Sequence, residues 1–136
     1  MYITPYKKNQ HEHYIVQWQE AKGLAVCAGD DLPTTGLIAF EEGRPIAIGF
    51  LRCMEGGFAV LDSYITNPDI HAYDRHRALN RVTDKLIKIA KHNKVKGVIA
   101  FSSDYNTIER AKSFGFQVFP HVFTILNINS VPENKT

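Results

Sequence analysis

Residues 58–68, FAVLDSYITNP, and 78–101, ALNRVTDKLIKIAKHNKVKGVIAF, decide the fold. The first stretch alternates two sets of side chains: Phe58, Val60, Asp62 and Tyr64 on one face, and Ala59, Leu61, Ser63 and Ile65 on the other. Both sets are mostly apolar, which predicts a central strand covered on each side. In the second stretch Leu79, Val82, Leu86, Ile89 and Ala90 recur at three- and four-residue steps. Arg81, Asp84, Lys85, Lys88 and Lys91 take the opposite side, so the pattern predicts an amphipathic helix over 78–93. A short link, 94–97, leads into a second buried strand at 98–101. Strand, helix and strand at this spacing form a βαβ unit, which requires a parallel pair and a right-handed crossover.

On the N-terminal side, runs at 37–40 and 46–52 read as strands joined by the turn residues 41–45, with a second turn at Gly56-Gly57. A strand at 2–6 belongs on a sheet edge, because Pro5 has no N–H to give to a ladder. From about 9 to 26, Tyr14, Ile15, Trp18, Ala21 and Ala25 mark a helical face with a break near Gly23. On the C-terminal side, a short helix at 107–114 ends at Gly115, and strands follow at 116–119 and 121–128. The expected fold is α/β: a mixed, mostly antiparallel twisted sheet of about six or seven strands with helices on both faces. Residues 1–128 read as one domain and 129–136 as a flexible tail.

Composition removes several function classes. Of 136 residues, 16 are Lys or Arg and 14 are Asp or Glu, a net +2 too balanced to announce a nucleic-acid binder. The lysine-rich stretch 85–96 has no aromatic platform beside it and reads as a solvated helix face. No apolar run approaches the roughly 18–20 residues of a membrane span. Charged residues are scattered through the first thirty positions, so no secretory signal is expected. Cys27 and Cys53 sit in apolar stretches without metal-ligand spacing and read as reduced, buried thiols of a cytoplasmic protein. The His11-Glu12-His13 triplet on a helix turns its two imidazoles apart, so no metal is expected there.

This order of elements, with Asn67-Pro68 after the central strand and Gly115-Phe116 after the last helix, resembles the GNAT superfamily of acyl-CoA-dependent N-acetyltransferases. The resemblance covers about residues 34–128 and extends more weakly to the first helix. It implies an acyl-CoA N-acyltransferase-like fold, acetyl-CoA as acyl donor and an unidentified amine as acceptor. The family's Val-x-Pro-like step is matched by Thr66-Asn67-Pro68. Its Arg/Gln-x-x-Gly-x-Gly/Ala loop, which wraps the CoA pyrophosphate at a helix N-terminus, falls on Arg75-His76-Arg77-Ala78-Leu79-Asn80. Ala78 and Asn80 stand where small residues are expected, and a register shifted by one puts Arg77 and Leu79 there instead. Arg75, His76 and Arg77 offer phosphates side chains in place of backbone; the bland alternative is a solvated helix start.

The resemblance also implies roles for residues of the strands. A backbone amide around Ile65 and Thr66 would polarise the thioester carbonyl, and Ser102 and Asn106 would contact the pantetheine arm. Asp62 matches the position of a general base, its pKa raised by burial, or else is a structural Asp paired with an Arg. The tyrosine that serves as general acid falls on Ala111, which leaves Tyr105 as a substitute or as an ordinary half-buried tyrosine. Two functions follow: an N-acetyltransferase, or a catalytically inactive GNAT-fold binding or structural protein of the compact kind found in bacteriophages. The expected partners are acetyl-CoA and an amine, not a membrane or a nucleic acid, with room for a homodimer or a protein partner. The expected location is cytoplasmic, or the host cytoplasm or virion if the chain is phage-encoded.

Overall fold

A computed structural model describes residues 1–26, 28–102 and 104–119. Among them a five-stranded sheet runs in chain order, β1 (Tyr2–Pro5), β2 (Thr35–Glu41), β3 (Arg44–Cys53), β4 (Phe58–Thr66) and β5 (Gly97–Ala100). The first three pairings are antiparallel and the β4–β5 pairing is parallel. Pro5 lies on the edge strand, where its missing N–H costs no ladder bond. At the β2–β3 turn Glu42 and Gly43 both have positive φ, 52° and 76°. This is the type I′ geometry that matches the twist of a two-residue hairpin.

Helix α1 (Lys8–Ala21) covers one face of the sheet and α2 (Ala72–His92) covers the other. Ile15 and Trp18 of α1 pack on Ile38, Ile48, Phe50 and Ile65. On the opposite face Ala78, Val82, Leu86 and Ala90 of α2 pack on Leu37, Ala39, Ala47, Leu51 and Ala59. Burying both faces of β3 and β4 is what makes their sequences read as nearly continuous apolar runs. A third helix, α3 (Tyr105–Ser113), follows β5 and ends with Gly115 at φ 92°. There the Phe116 N–H reaches the Ala111 carbonyl at 3.1 Å, closing the helix end.

Several expectations shift. Helix α1 stops at Ala21, because Gly23 takes a left-handed φ of 68°, so Ala25 is not part of its face. Helix α2 begins at Ala72, six positions before the start at 78 that the apolar pattern predicts. Residues 116–119 form no strand, because no described neighbour supplies them with a ladder. The sheet therefore has five strands among the described residues rather than six or seven. The expected strand at 121–128 and the tail at 129–136 lie outside the described residues, as does Cys27. Cys53 is exposed rather than buried, since β3 runs out at that residue beside the Gly56-Gly57 turn. His11 and His13 do turn apart: His11 is buried and accepts the Lys7 N–H on Nδ1, while His13 is exposed.

Candidate functional site

The site begins with an irregularity in β4. Phe50 pairs with Asp62 and Ile48 with Ile65, so Ser63 and Tyr64 together oppose the single residue Gly49. Ser63 takes a φ of 54°, the left-handed conformation of a β-bulge. A side chain at Gly49 would bring its Cβ within 2.7 Å of the Tyr64 ring, so glycine makes room for the bulge. The extra residue moves Tyr64 to the face of Leu61, against α2, where its hydroxyl shares a 2.9 Å hydrogen bond with Thr83. Simple alternation puts Tyr64 on the face of Asp62; the bulge reverses that.

The bulge also ends the parallel pairing. β4 and β5 pair from Phe58 opposite Gly97 to Leu61 opposite Ala100, and no further. Beyond that point the strands part, and a cleft of about 770 Å³ opens between the end of β4, the start of α2 and helix α3. Its wall includes Lys22, Thr66, Arg75, His76, Asn80 and Arg110. Lys22 stands at the end of α1 and donates from Nζ to Thr66 Oγ1 at 3.0 Å. Arg110, from α3, donates to His76 Nδ1 at 3.1 Å, and His76 Nε2 lies 3.1 Å from the Asn80 amide.

The cleft is electrostatically unbalanced. Lys22, Arg75 and Arg110 form no ion pair among the described residues. Two carboxylates share the wall, but both are engaged. Asp104 caps α3, accepting the Thr107 N–H at 2.9 Å and the Thr107 hydroxyl at 2.8 Å, and these bonds hold its pKa below the ordinary value. Glu109 pairs with Lys112 at 3.1 Å. Arg75 Nε and Arg110 Nε are buried with no hydrogen-bond partner among the described residues. Burial pushes the Lys22 ammonium below its ordinary pKa, and the neighbouring Arg75 charge pushes it the same way. Burial also lowers Arg110, against the opposing pull of Tyr64 and Asp104. Buried N–H groups and crowded cations are satisfied together by an anion.

Of the residues singled out in the sequence, Thr66, Arg75, His76, Leu79, Asn80 and Asn106 line this cleft. The others lie elsewhere. Ile65 packs under α1 and Ala78 is buried beneath α2. Arg77 turns to β2, bonding Asp74 at 3.1 Å and Glu41 at 3.5 Å, so it does not join Arg75. Ser102 accepts the Asp104 N–H at the entry to α3. Tyr105 is 72% exposed and is not part of the wall. Asp62 is on the α1 face, where Arg52 Nε bonds its Oδ2 at 2.5 Å and the Ser63 hydroxyl bonds its Oδ1 at 2.9 Å. Lys22 and Arg110 carried no local signal in the sequence, because only the tertiary fold brings α1, α2 and α3 to one place.

The segment expected to be a phosphate-wrapping loop is helix. Residues 75–80 lie inside α2, whose N-cap is His71, so the amides after the first turn are committed to intrahelical bonds. Beyond the first turn only side chains are left to bond a ligand.

The fold is that of the GNAT acetyltransferases. Among solved structures the chain is similar to TTHA1254 of Thermus thermophilus, at TM-score 0.69 and 16% identity over 96% of this chain and 100% of that one. It is similar to aminoglycoside N-acetyltransferase AAC(6')-Iy, solved in complex with CoA, at TM-score 0.62 and 17% identity over 93% and 98% of the two chains. The ribosomal-protein-alanine N-acetyltransferase of Brucella melitensis gives TM-score 0.63 and 17% identity over 86% and 85%. No family model and no curated protein matches the sequence. No helix among the described residues is long and apolar enough to cross a membrane.

Proposed function

We propose that the chain binds acyl-CoA in the cleft between β4, α2 and α3 and transfers the acetyl group to an amine. The observation that carries this reading is the set of cations at Lys22, Arg75 and Arg110, which among the described residues have no carboxylate partners and leave two buried guanidinium N–H groups unsatisfied. Those donors fit the phosphates of CoA, which side chains would hold where the family uses backbone. Bound there, acyl-CoA supplies an activated thioester. Asn106 and Thr66 lie on the same wall and suit the polar pantetheine arm.

The main chain of β4 supplies a donor for the thioester carbonyl. Asn67 N–H bonds the Ile46 carbonyl at 2.8 Å, on the β3 side. Backbone alternation then turns the Thr66 N–H to the other edge, which β5 has left by Leu61. Of the two amides considered from the sequence, Thr66 is therefore the one that faces the opening, and a donor fixed there stabilises charge developing on the carbonyl oxygen. An acyl-CoA ligand also calls for a cytoplasmic location, the cell's own or, for a phage-encoded chain, the host's.

A binding-only reading has a specific observation behind it: both oxygens of Asp62 are engaged and Tyr105 is outside the cleft. One experiment covers both readings. CoA is titrated into the protein by calorimetry at low and high salt, and thiol release from acetyl-CoA is followed with a panel of amines. Binding that weakens with salt, together with amine-dependent thiol release, is the expected result. Binding without release leaves the binding-only reading, and no binding at low salt overturns the proposal.

A further inference from the structure

Arg110 can only donate hydrogen bonds, so the His76 Nδ1 that it meets at 3.1 Å must carry a lone pair. The neutral ring then has its proton on Nε2. That N–H points at the Asn80 amide 3.1 Å away and needs an oxygen there. Asn80 Oδ1 is a buried atom with no partner among the described residues. Turning the amide over gives the His76 Nε2–H its acceptor, and the amide nitrogen then takes the buried place of the oxygen. The chain of bonds then has a single direction: Arg110 to His76 Nδ1, and His76 Nε2–H to Asn80 Oδ1.

We infer that His76 is a positioning residue that holds Arg110 across the cleft, facing Arg75, so that the two guanidinium groups grip the anionic part of the ligand. The bond spans 34 positions of sequence and ties α3 to α2 over the opening. The buried Arg110 Nε–H has no hydrogen-bond partner among the described residues. Without the imidazole, a long and flexible side chain would have to be ordered by the ligand itself, at a cost in affinity. This inference rests on the anion-binding reading of the cleft.

The test uses the full chain, with inorganic pyrophosphate and CoA as probes. Nitrogen-15 NMR of the His76 ring should show the Nε2–H tautomer with a hydrogen-bonded Nδ1, and Arg110→Met should move the Nδ1 shift to that of an unbonded lone pair. Arg110→Met, His76→Ala and His76→Gln should each weaken pyrophosphate binding by about tenfold, the loss of one hydrogen bond to a charged group. His76→Asn places its amide oxygen where Nδ1 was and should keep affinity within about twofold of the parent. The His76→Ala, Arg110→Met double variant should bind no worse than Arg110→Met alone, since the two residues act as a unit. A merely structural His76 would show neither the Arg110-dependent Nδ1 shift nor the rescue by Asn. An Nδ1–H tautomer, or additive losses in a protein that still binds CoA, overturns this inference and leaves the proposed function standing. Failure of the parent protein to bind either probe overturns both.

Discussion

Two arginine-centred regions flank the bulge in β4, and they differ in how their charges are spent. On the α1 face, Arg52 bonds Asp62 and also donates to the Asp31 carbonyl at 3.0 Å, while Ser63 takes the other carboxylate oxygen. On the α2 face, Arg75 and Arg110 have no carboxylate partner among the described residues, and the acids beside them are committed to a helix cap and a lysine. A satisfied cluster holds strands together and leaves no bonding capacity for a substrate. An unsatisfied one stores repulsion that an anion relieves. The residue that looked most catalytic in the sequence, Asp62, is in the satisfied region.

The comparison breaks most visibly at the arginines of the cleft. Arg75→Ala with Arg110→Ala should weaken CoA binding by about a hundredfold or more, two charge-assisted bonds being lost, and should flatten its salt dependence. Melting temperature should hold, because the change removes crowded like charges. Arg77→Ala is the control: its guanidinium serves Asp74 and Glu41, so affinity should stay within about twofold. A collapse in melting temperature of the double variant would show that the cleft arginines are structural.

A smaller effect is expected on the satisfied side. Asp62→Asn breaks a pair in which Arg52 remains 43% and Asp62 28% exposed, so water can take over much of the lost partner's work. The expected cost is about 1 kcal/mol in denaturant unfolding, well below the roughly 3–5 kcal/mol of a fully buried pair. Acyl-transfer rates should change little. A fall in turnover of roughly 10²-fold or more at unchanged stability would make Asp62 a general base and erase the contrast.

The smallest effect lies between the regions, at Tyr64. Burial pushes its pKa up from 10.0 to about 12, although the Thr83 hydrogen bond and the nearby Arg110 charge pull the other way. A phenol raised in the folded state contributes stability that is complete below pH 10 and is lost as the pH rises toward 12. Tyr64→Phe should therefore flatten the alkaline decline in stability. Tyr6 is raised by burial as well, so the informative quantity in an ultraviolet titration is the late component present in the parent and missing from the variant.

Much of the fold was legible because it rests on periodicity. The apolar steps of 79–90 and the run at 98–101 required a parallel pair, and β4 does pair with β5 at its start and part from it at its end. The start of α2 was hidden because Tyr73, Asp74, Arg75, His76 and Arg77 precede the first apolar step, and its cap is a histidine accepting the Tyr73 N–H rather than Ser, Thr, Asp or Asn. The bulge left no pattern in the residue types beyond Gly49. Arg52 as partner of Asp62 depends on the β3–β4 register, in which Arg52 stands opposite Val60, two positions away. Two of the three cleft cations, Lys22 and Arg110, could be assigned only once three helices were brought together.

The early start of α2 has a consequence for how this protein can change over generations. A backbone cradle for phosphate tolerates almost any substitution that stays small, because the peptide groups doing the binding are the same in every residue. Here residues 75–80 are helix, and under the proposed function the anion would be met by individual side chains. Affinity and ligand preference then rest on a handful of single codons, each able to be lost, strengthened or retargeted without disturbing the helix that carries it. The same fold is thereby both easier to silence and easier to redirect than one that binds through its main chain.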